Sequence, residues 1–497
     1  MLKKIVFLIV LFSMISIGLM ASVLDFLPAD TSMFVYFENN EENYAKLKEV
    51  PLFDFVLQSM GLEFLITLNL NQLATSQGIK EPSQIWDVLK GDLVFFSTAS
   101  PENMLESLED QTPSPDEISL EELLSELETM NFCLVIQPKG NSKSALEMLN
   151  KLLSAMDVDE AMEDFNVEIM EYSGYILLSN SNELVDRAKE AFSGKNKFAD
   201  NPEVSQELVK LLSRDAWIRV FSKAIDPEKM LKDLTKSDIE IPARYGNYLG
   251  WTYFEDKKLV GNGHVEYEVL DESLKLTLPV ADVDTLESQF AFPGQIYLFV
   301  NLVDAMKRID YIFTKISEIA ETQDMSEEEE KEDFDITLEV AKNLLTKLDG
   351  KISAGVKVGQ SATTTSFAVE VGLEEIDSTF EIFLEELAEE KFDYNGQTVY
   401  LLGKEDEMEI KAFVENDKLY ITSLNPDELK DTLNQSNTVK SDALYNELSK
   451  GQKGAQMRLF ADLGQILAEL VGMPVNSGLL VDVFVDADSI DTRFVIK

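Results

Sequence analysis

The chain has 497 residues, with 43 Lys+Arg against 91 Asp+Glu, a formal net charge of −48, one His and one Cys. A polyanion of this kind repels phosphate backbones, which excludes nucleic-acid binding through a basic face. One His and one Cys build neither a His/Cys metal site nor an internal disulfide, and Ser-His-Asp or Cys-His chemistry would rest on His264 alone.

At the start of the chain, Lys3 and Lys4 precede an apolar run from Ile5 to Met20 and the small residue Ala21. That is the layout of a secretory signal peptide over residues 1–21, and it predicts an exported protein of the periplasm or cell surface. The run of 16 residues is short for a membrane span of about 20, so cleavage is expected rather than retention as an anchor. No later stretch reaches 18 apolar residues, so no transmembrane segment is expected after cleavage. Residues 22–288 carry 22 basic and 50 acidic side chains, and residues 289–497 carry 19 and 41, so the charge is a property of the whole surface. With 45% hydrophobic and 9% aromatic residues the chain buries a large core and is not a disordered acidic polymer. Only seven of the basic residues are Arg, which disfavours bidentate recognition of phosphate or sulfate.

The element order repeats along the chain. Met33–Phe37 after Leu27-Pro28-Ala29-Asp30-Thr31 corresponds to Ile296–Val300 after Phe292-Pro293-Gly294. Gly91–Phe96 corresponds to Gly350–Ala354, and Phe132–Ile136 with the helix Ser144–Met156 to Thr365–Val371 with the helix Ile376–Leu387. Residues 175–231 match 419–467 most clearly: strand, polar turn, helix, loop, helix, strand. Each half closes on a hairpin-like pair, Gly250–Glu255 with Leu259–Tyr267 and Leu479–Val485 with Asp491–Ile496. Helices at Ala145, Leu149, Leu152, Met156 and at Ile376, Phe380, Phe383, Leu387 carry one apolar face, which must cover a sheet. The expectation is α+β: two tandem repeated domains, 22–288 and 289–497, each an antiparallel sheet covered by amphipathic helices. Acidic insertions interrupt them at 101–130 and 321–335. Each insertion holds a capping box, Ser119 with Glu122 and Ser326 with Glu329.

The residues of chemically reactive or metal-ligating type read as structural. Asp482, Asp486, Asp488 and Asp491 form the densest Asp cluster, but the stretch lacks the spacing and turn Gly of an EF-hand loop and reads as a hairpin turn. His264 sits in Gly-Asn-Gly-His-Val, at a turn or strand start, and reads as exposed and bland. Cys133 lies in an apolar strand run and reads as a small buried hydrophobe. A glycosidase needs paired carboxylates in an aromatic-lined cleft, yet of Trp86, Trp217 and Trp251 the last two lie in strand runs and read as core. No Gly-rich phosphate loop or Gly-x-Ser-x-Gly elbow is present. The reading is therefore no enzyme, no cofactor, no metal, and no catalytic residue.

Leu27-Pro28-Ala29-Asp30-Thr31 after a signal segment, the run from Ile176 to Phe192, the segment Ala199-Asp200-Asn201-Pro202 and the strand Ala216–Phe221 together resemble a bacterial domain-of-unknown-function family of exported proteins. The resemblance covers most of residues 22–268. It implies an exported α+β protein and no catalytic residues. The function expected is a non-catalytic envelope protein, a binding or scaffolding module. Phe34, Tyr36, Tyr297 and Phe299 are taken as exposed strand aromatics, consistent with an apolar-ligand cleft between the domains. The alternatives are an acidic surface protein that binds another envelope protein and, least favoured, a hydrolase using paired carboxylates.

Overall fold

The computed structural model describes residues 22–76, 78–79, 84–100, 131–155, 167–202, 204–226, 228, 243–271, 274–276, 280–306, 308, 311, 313–314, 342, 345–361, 364–374, 378–405 and 408–497. The signal segment 1–21, both acidic insertions and their capping boxes, Leu231, Met156 and Ile376 lie outside the described residues. The chain divides into two units. The first comprises residues 1–48, 60–224 and 247–254; the second comprises 49–59, 225–246 and 255–497.

In the first unit, short apolar runs form β1 (Met33–Phe37), β2 (Leu93–Ser97), β3 (Phe132–Ile136), β4 (Glu168–Tyr172), β5 (Tyr175–Ser179), β6 (Ile218–Ser222) and β7 (Ala243–Glu255, of which 247–254 belong here). All pairings are antiparallel, in the order β4-β5-β3-β2-β1-β6-β7. β1 lies inside the sheet, with Phe34 opposite Phe96 on one side and Phe221 on the other. The β4–β5 turn uses Ser173 and Gly174 at φ 54° and 92°, the doubly left-handed geometry that matches strand twist.

The helices of this unit are α1 (Asn40–Leu47), α2 (Leu62–Ser76), α3 (Gln84–Leu89), α4 (Ser142–Ala155), α5 (Asn182–Phe192) and α6 (Ser205–Leu212). α5 buries Leu184, Val185, Ala188 and Ala191, an i, i+1, i+4, i+7 stripe, over a core with Cys133, Val135 and Leu177. α4 turns Ala145 and Met148 to a second cluster with Val88, Ile136 and Ile176, and Leu149 packs against it. Neighbouring residues of β3 and β5 enter different clusters, so helices cover both faces at that edge of the sheet. This explains why those strands alternate poorly in sequence.

The second unit contains β8 (Lys258–Val269), β9 (Ile296–Asn301), β10 (Leu348–Lys357), β11 (Ser366–Leu373), β12 (Glu390–Tyr394), β13 (Gln397–Glu405), β14 (Met408–Glu415), β15 (Lys418–Thr422), β16 (Met457–Ala461), β17 (Leu479–Val485) and β18 (Ser489–Ile496). Their antiparallel order is β12-β13-β14-β15-β11-β10-β9-β16-β17-β18-β8. Besides single turns at Pro51–Asp54 and Val303–Met306, its helices are α7 (Asp284–Gln289), α8 (Ser378–Leu387), α9 (Pro426–Gln435), α10 (Ala443–Leu448) and α11 (Leu463–Val471). On α8, Phe380 and Leu384 are buried and Phe383 packs against them, but Leu387 is exposed, so the inward stripe runs through Leu384 instead.

Each unit is thus α+β, an antiparallel sheet with helices on it. Residues 255–288, counted with the first half in the sequence reading, lie in the second unit. The reason is pairing. β8 aligns along β18 from Leu259↔Ile496 to Glu266↔Ser489, and the segment leading into α7 is held by Val283 N donating to Ala455 O at 2.9 Å.

Cys133 is fully buried, and burial pushes its thiol up to about 12 from an ordinary 9.0. Burial likewise pushes Tyr297 up to about 12 from 10.0. Both groups ionise more readily in the unfolded chain, so their contribution to stability is complete below pH 9 and falls as the pH rises toward 12. Urea midpoints measured from pH 7 to 12 are expected to decline from about pH 9 upward. Cys133 is expected to react with a maleimide at least ~100-fold more slowly in the folded chain than in urea. Fast labelling of the native protein at pH 7 contradicts this placement.

Candidate functional site

The residues singled out in the sequence do not converge on one centre. The Asp cluster is split by strand geometry. Asp482 turns into the core of the second unit, where Arg458 Nε donates to its Oδ1 at 2.5 Å and Arg458 NH2 to its Oδ2 at 3.1 Å. Asp486 and Asp488 form the β17–β18 turn and hold β8 through their carbonyls: Tyr267 Oη donates to Asp486 O at 2.5 Å and Tyr267 N to Asp488 O at 2.8 Å. Asp491 lies opposite His264 in the β8–β18 register. Among the described residues no group of three or more His, Cys, Asp or Glu is arranged to hold a metal ion.

His264 is not at a turn but inside β8. Its Nδ1 lies 2.7 Å from Asp491 Oδ1, and its Nε2 lies 3.8 Å from Glu266 Oε1. Ser489 Oγ donates to Asp491 Oδ2 at 3.4 Å. The serine therefore meets the carboxylate, and the far side of the imidazole faces a second carboxylate. A nucleophilic triad needs the hydroxyl on the imidazole, so this is not a triad: His264 is clasped between Asp491 and Glu266, and Ser489 supports Asp491. His264, Glu266 and Ser489 border a groove of about 540 Å³ also lined by Arg244, Tyr245 and Tyr267.

The strand aromatics require a correction. Phe34, Tyr36, Tyr297 and Phe299 are all buried rather than exposed. Phe34 packs on Phe198 and Phe221 at ring distances of 5.8 and 5.6 Å, and Tyr36 Oη donates to Asp92 Oδ2 at 2.9 Å. Tyr297 stacks on Phe460 at 6.3 Å, and its Oη donates to Phe292 O at 2.7 Å. These four side chains are core, and they line no open cleft. Trp217 donates Nε1–H to Asn40 Oδ1 at 2.9 Å and stacks on Phe254, while Trp251 lies under the Arg214 guanidinium.

The segments behind the family resemblance do meet. Phe198 N donates to Leu27 O at 2.9 Å and Ala29 N to Asn196 O at 2.7 Å. Asn201 Nδ2 donates to Ala29 O at 3.2 Å, and Arg187 NH1 pairs with Asp30 Oδ2 at 2.8 Å. Thr31 Oγ1 closes the turn by donating to Pro28 O at 2.7 Å. The Leu-Pro-Ala-Asp-Thr turn is thereby a structural latch on the Phe198–Pro202 segment.

One surface feature was not singled out in the sequence. α2 reads Leu-Glu-Phe-Leu-Ile-Thr-Leu-Asn-Leu-Asn-Gln-Leu-Ala-Thr-Ser. Gly61, at φ 74°, admits the left-handed turn that starts it, and Leu65 N donates to Gly61 O at 2.9 Å. The C-terminal half is anchored, with Ala74 buried and Leu70 packed on the cluster of Val88, Ile136 and Met148. The N-terminal half is not. Phe64 is 67% exposed, Leu65 51% and the preceding Met60 58%, and Leu62, Ile66 and Leu68 are exposed with them. The single charge of the helix, Glu63, is taken up by Lys48 Nζ at 3.1 Å. Isolated exposed apolar residues are ordinary, whereas six within nine positions form a contact surface. The signal in the sequence was a helix with almost no polar face over its first two turns.

No family model matches the chain, and no curated protein matches it. Among solved structures, crystal forms I, III and IV of TP0453 are similar to it at 7–10% identity and TM-scores of 0.23–0.24. They cover 43–50% of this chain and 80–93% of their own. At those scores the likeness fixes neither fold nor role. Among the described residues no single helix is long and apolar enough to cross a membrane.

Proposed function

We propose that this is an exported, non-catalytic envelope protein that works by binding, and that the apolar N-terminal half of α2 is its contact surface. The observation that carries the reading is the exposure of Met60, Leu62, Phe64, Leu65, Ile66 and Leu68 on a helix whose other end is fixed in the core. An apolar tip held out on a rigid support costs solubility unless something covers it in use. The His264–Asp491 pair and the buried acids Glu287 and Asp482 are engaged within the fold, which favours binding over hydrolysis. An environment-sensitive dye at position 64, introduced as Phe64→Cys, is expected to shift to the blue when the protein meets envelope fractions of its host. Unchanged emission overturns the reading.

The same proposal includes a duplicated architecture. The order β4-β5-β3-β2-β1-β6-β7 of the first sheet reads β14-β15-β11-β10-β9-β16-β17 in the second, antiparallel throughout. A helix follows β5 and β15, and a 3-10 turn and a helix precede β6 and β16, at Phe198–Asp200 and Val439–Ser441. Arg219 and Arg458 occupy the second position of those strands, and both are buried. Among the described residues the hairpin β12–β13 has no counterpart in the first sheet, and it is read as an addition. A crystal structure with a different strand order in either unit counts against duplication.

A further inference from the structure

The chemistry of the α2 tip also identifies the class of its partner, an assignment that rests on the binding role proposed for that tip. We propose that the tip of α2 inserts into the interfacial layer of an electrically neutral lipid bilayer. Three observations carry it. First, the exposed apolar positions 62, 64, 65, 66 and 68 span roughly 200° of the helix circumference at about 100° per residue. A helix docked in a protein groove needs a narrower stripe, whereas lipid surrounds whatever enters it. Second, Leu62 to Leu68 advance about 9 Å along the axis, comparable with the roughly 5–10 Å that interfacial helices sink. The next turns carry Asn69, Asn71, Gln72 and Thr75, uncharged polar side chains suited to the headgroup layer. Third, the chain carries a net charge of −48 and α2 offers no cation, so anionic headgroups repel it and neutral ones do not.

The test is flotation with phosphatidylcholine vesicles, using the chain from Ser22 onward. That chain contains every described element of both units and omits the apolar run of residues 5–20. The protein is expected to float with the vesicles, and F64S/L65S is expected to lower the bound fraction at least about tenfold. Both positions are exposed, so circular dichroism and thermal midpoint are expected to stay unchanged in the variant. Replacing a third of the lipid by phosphatidylglycerol is expected to weaken binding, and more so at low salt. No flotation with neutral vesicles, equal flotation of the variant, stronger binding to anionic vesicles, or a dimer closed through the tip would each overturn the lipid assignment. If vesicles fail while the position-64 dye still shifts in envelope fractions, the occupant is a protein and the proposed function survives. If both fail, both readings fall.

Discussion

Replacing Arg458 by Met is expected to lower the unfolding free energy of the second unit by about 3–5 kcal/mol. Arg458 is buried on β16, and its guanidinium is shared among groups that the chain brings from three places. It meets Asp482 across the β16–β17 register through two hydrogen bonds, at 2.5 and 3.1 Å. NH1 donates to Glu287 Oε1 at 2.7 Å and to Tyr445 Oη at 3.1 Å. Asp482 is 0% exposed and Glu287 1%, and Lys440 Nζ lies 3.4 Å from Glu287. Burial by itself lowers the guanidinium's pKa. The hydrogen bonds and charge of Asp482, with Tyr445 and Glu287, outweigh it and raise the pKa above the ordinary value. Methionine fills a similar volume but leaves Asp482 buried and uncompensated, and that stranded charge is the main cost. Urea unfolding should show the loss, and R458K should lie between, keeping charge but losing the planar fork. A further substitution of Asp482 and Glu287 by apolar residues should recover much of it. A loss below about 1 kcal/mol for R458M would mean that the network is solvated.

Phe198→Ala is expected to destabilise the first unit by about 3–5 kcal/mol, the range for large aromatic truncations in a packed core. Phe198 is 1% exposed and makes edge contacts with Phe34 and Phe221 at 5.8 and 5.1 Å. Its backbone also closes the latch on Leu27. Truncation therefore opens a cavity under β1 and β6 and loosens the turn that fixes the entry of the chain. Phe198→Leu, which refills most of the volume, should cost markedly less. Equal losses for the two substitutions would assign the effect to the backbone turn instead of the ring. Because the chain holds two units, each loss should be followed with a probe in its own unit.

Much of the architecture was legible as local pattern. Apolar runs such as Phe132–Ile136 and Tyr175–Ser179 became strands, the faces with Ala145 and Leu149 on α4 and with Phe380 and Phe383 on α8 marked covering helices, and Leu479–Val485 pairs with Asp491–Ile496 as expected. The hairpin β12–β13 was overlooked although Asn395-Gly396 is a strong turn signal and both residues do take positive φ, 55° and 86°. Strand aromatics such as Phe34 and Tyr297 misled because alternation says which residues share a face, not which face a helix will cover. The polar pairs were illegible for a different reason. His264 meets Asp491 and Arg458 meets Glu287 across 227 and 171 residues, and only the long-range strand order brings them together. The α2 tip was overlooked because a run of apolar residues reads as core in any sequence. Its exposure depends on how far the supporting cluster of Val88, Ile136 and Met148 extends, and that cluster ends at the level of Leu70.

The contact surface is tested most directly by the emission of a polarity-sensitive dye at position 64. Cys133 is buried and its thiol suppressed, so F64C can be labelled alone, with V209C as a control at another exposed apolar position of the first unit. On addition of envelope fractions, the position-64 label should shift to the blue while the position-209 label does not. No shift at position 64, or equal shifts at both positions, would contradict the assignment of the α2 tip as the surface through which this protein acts.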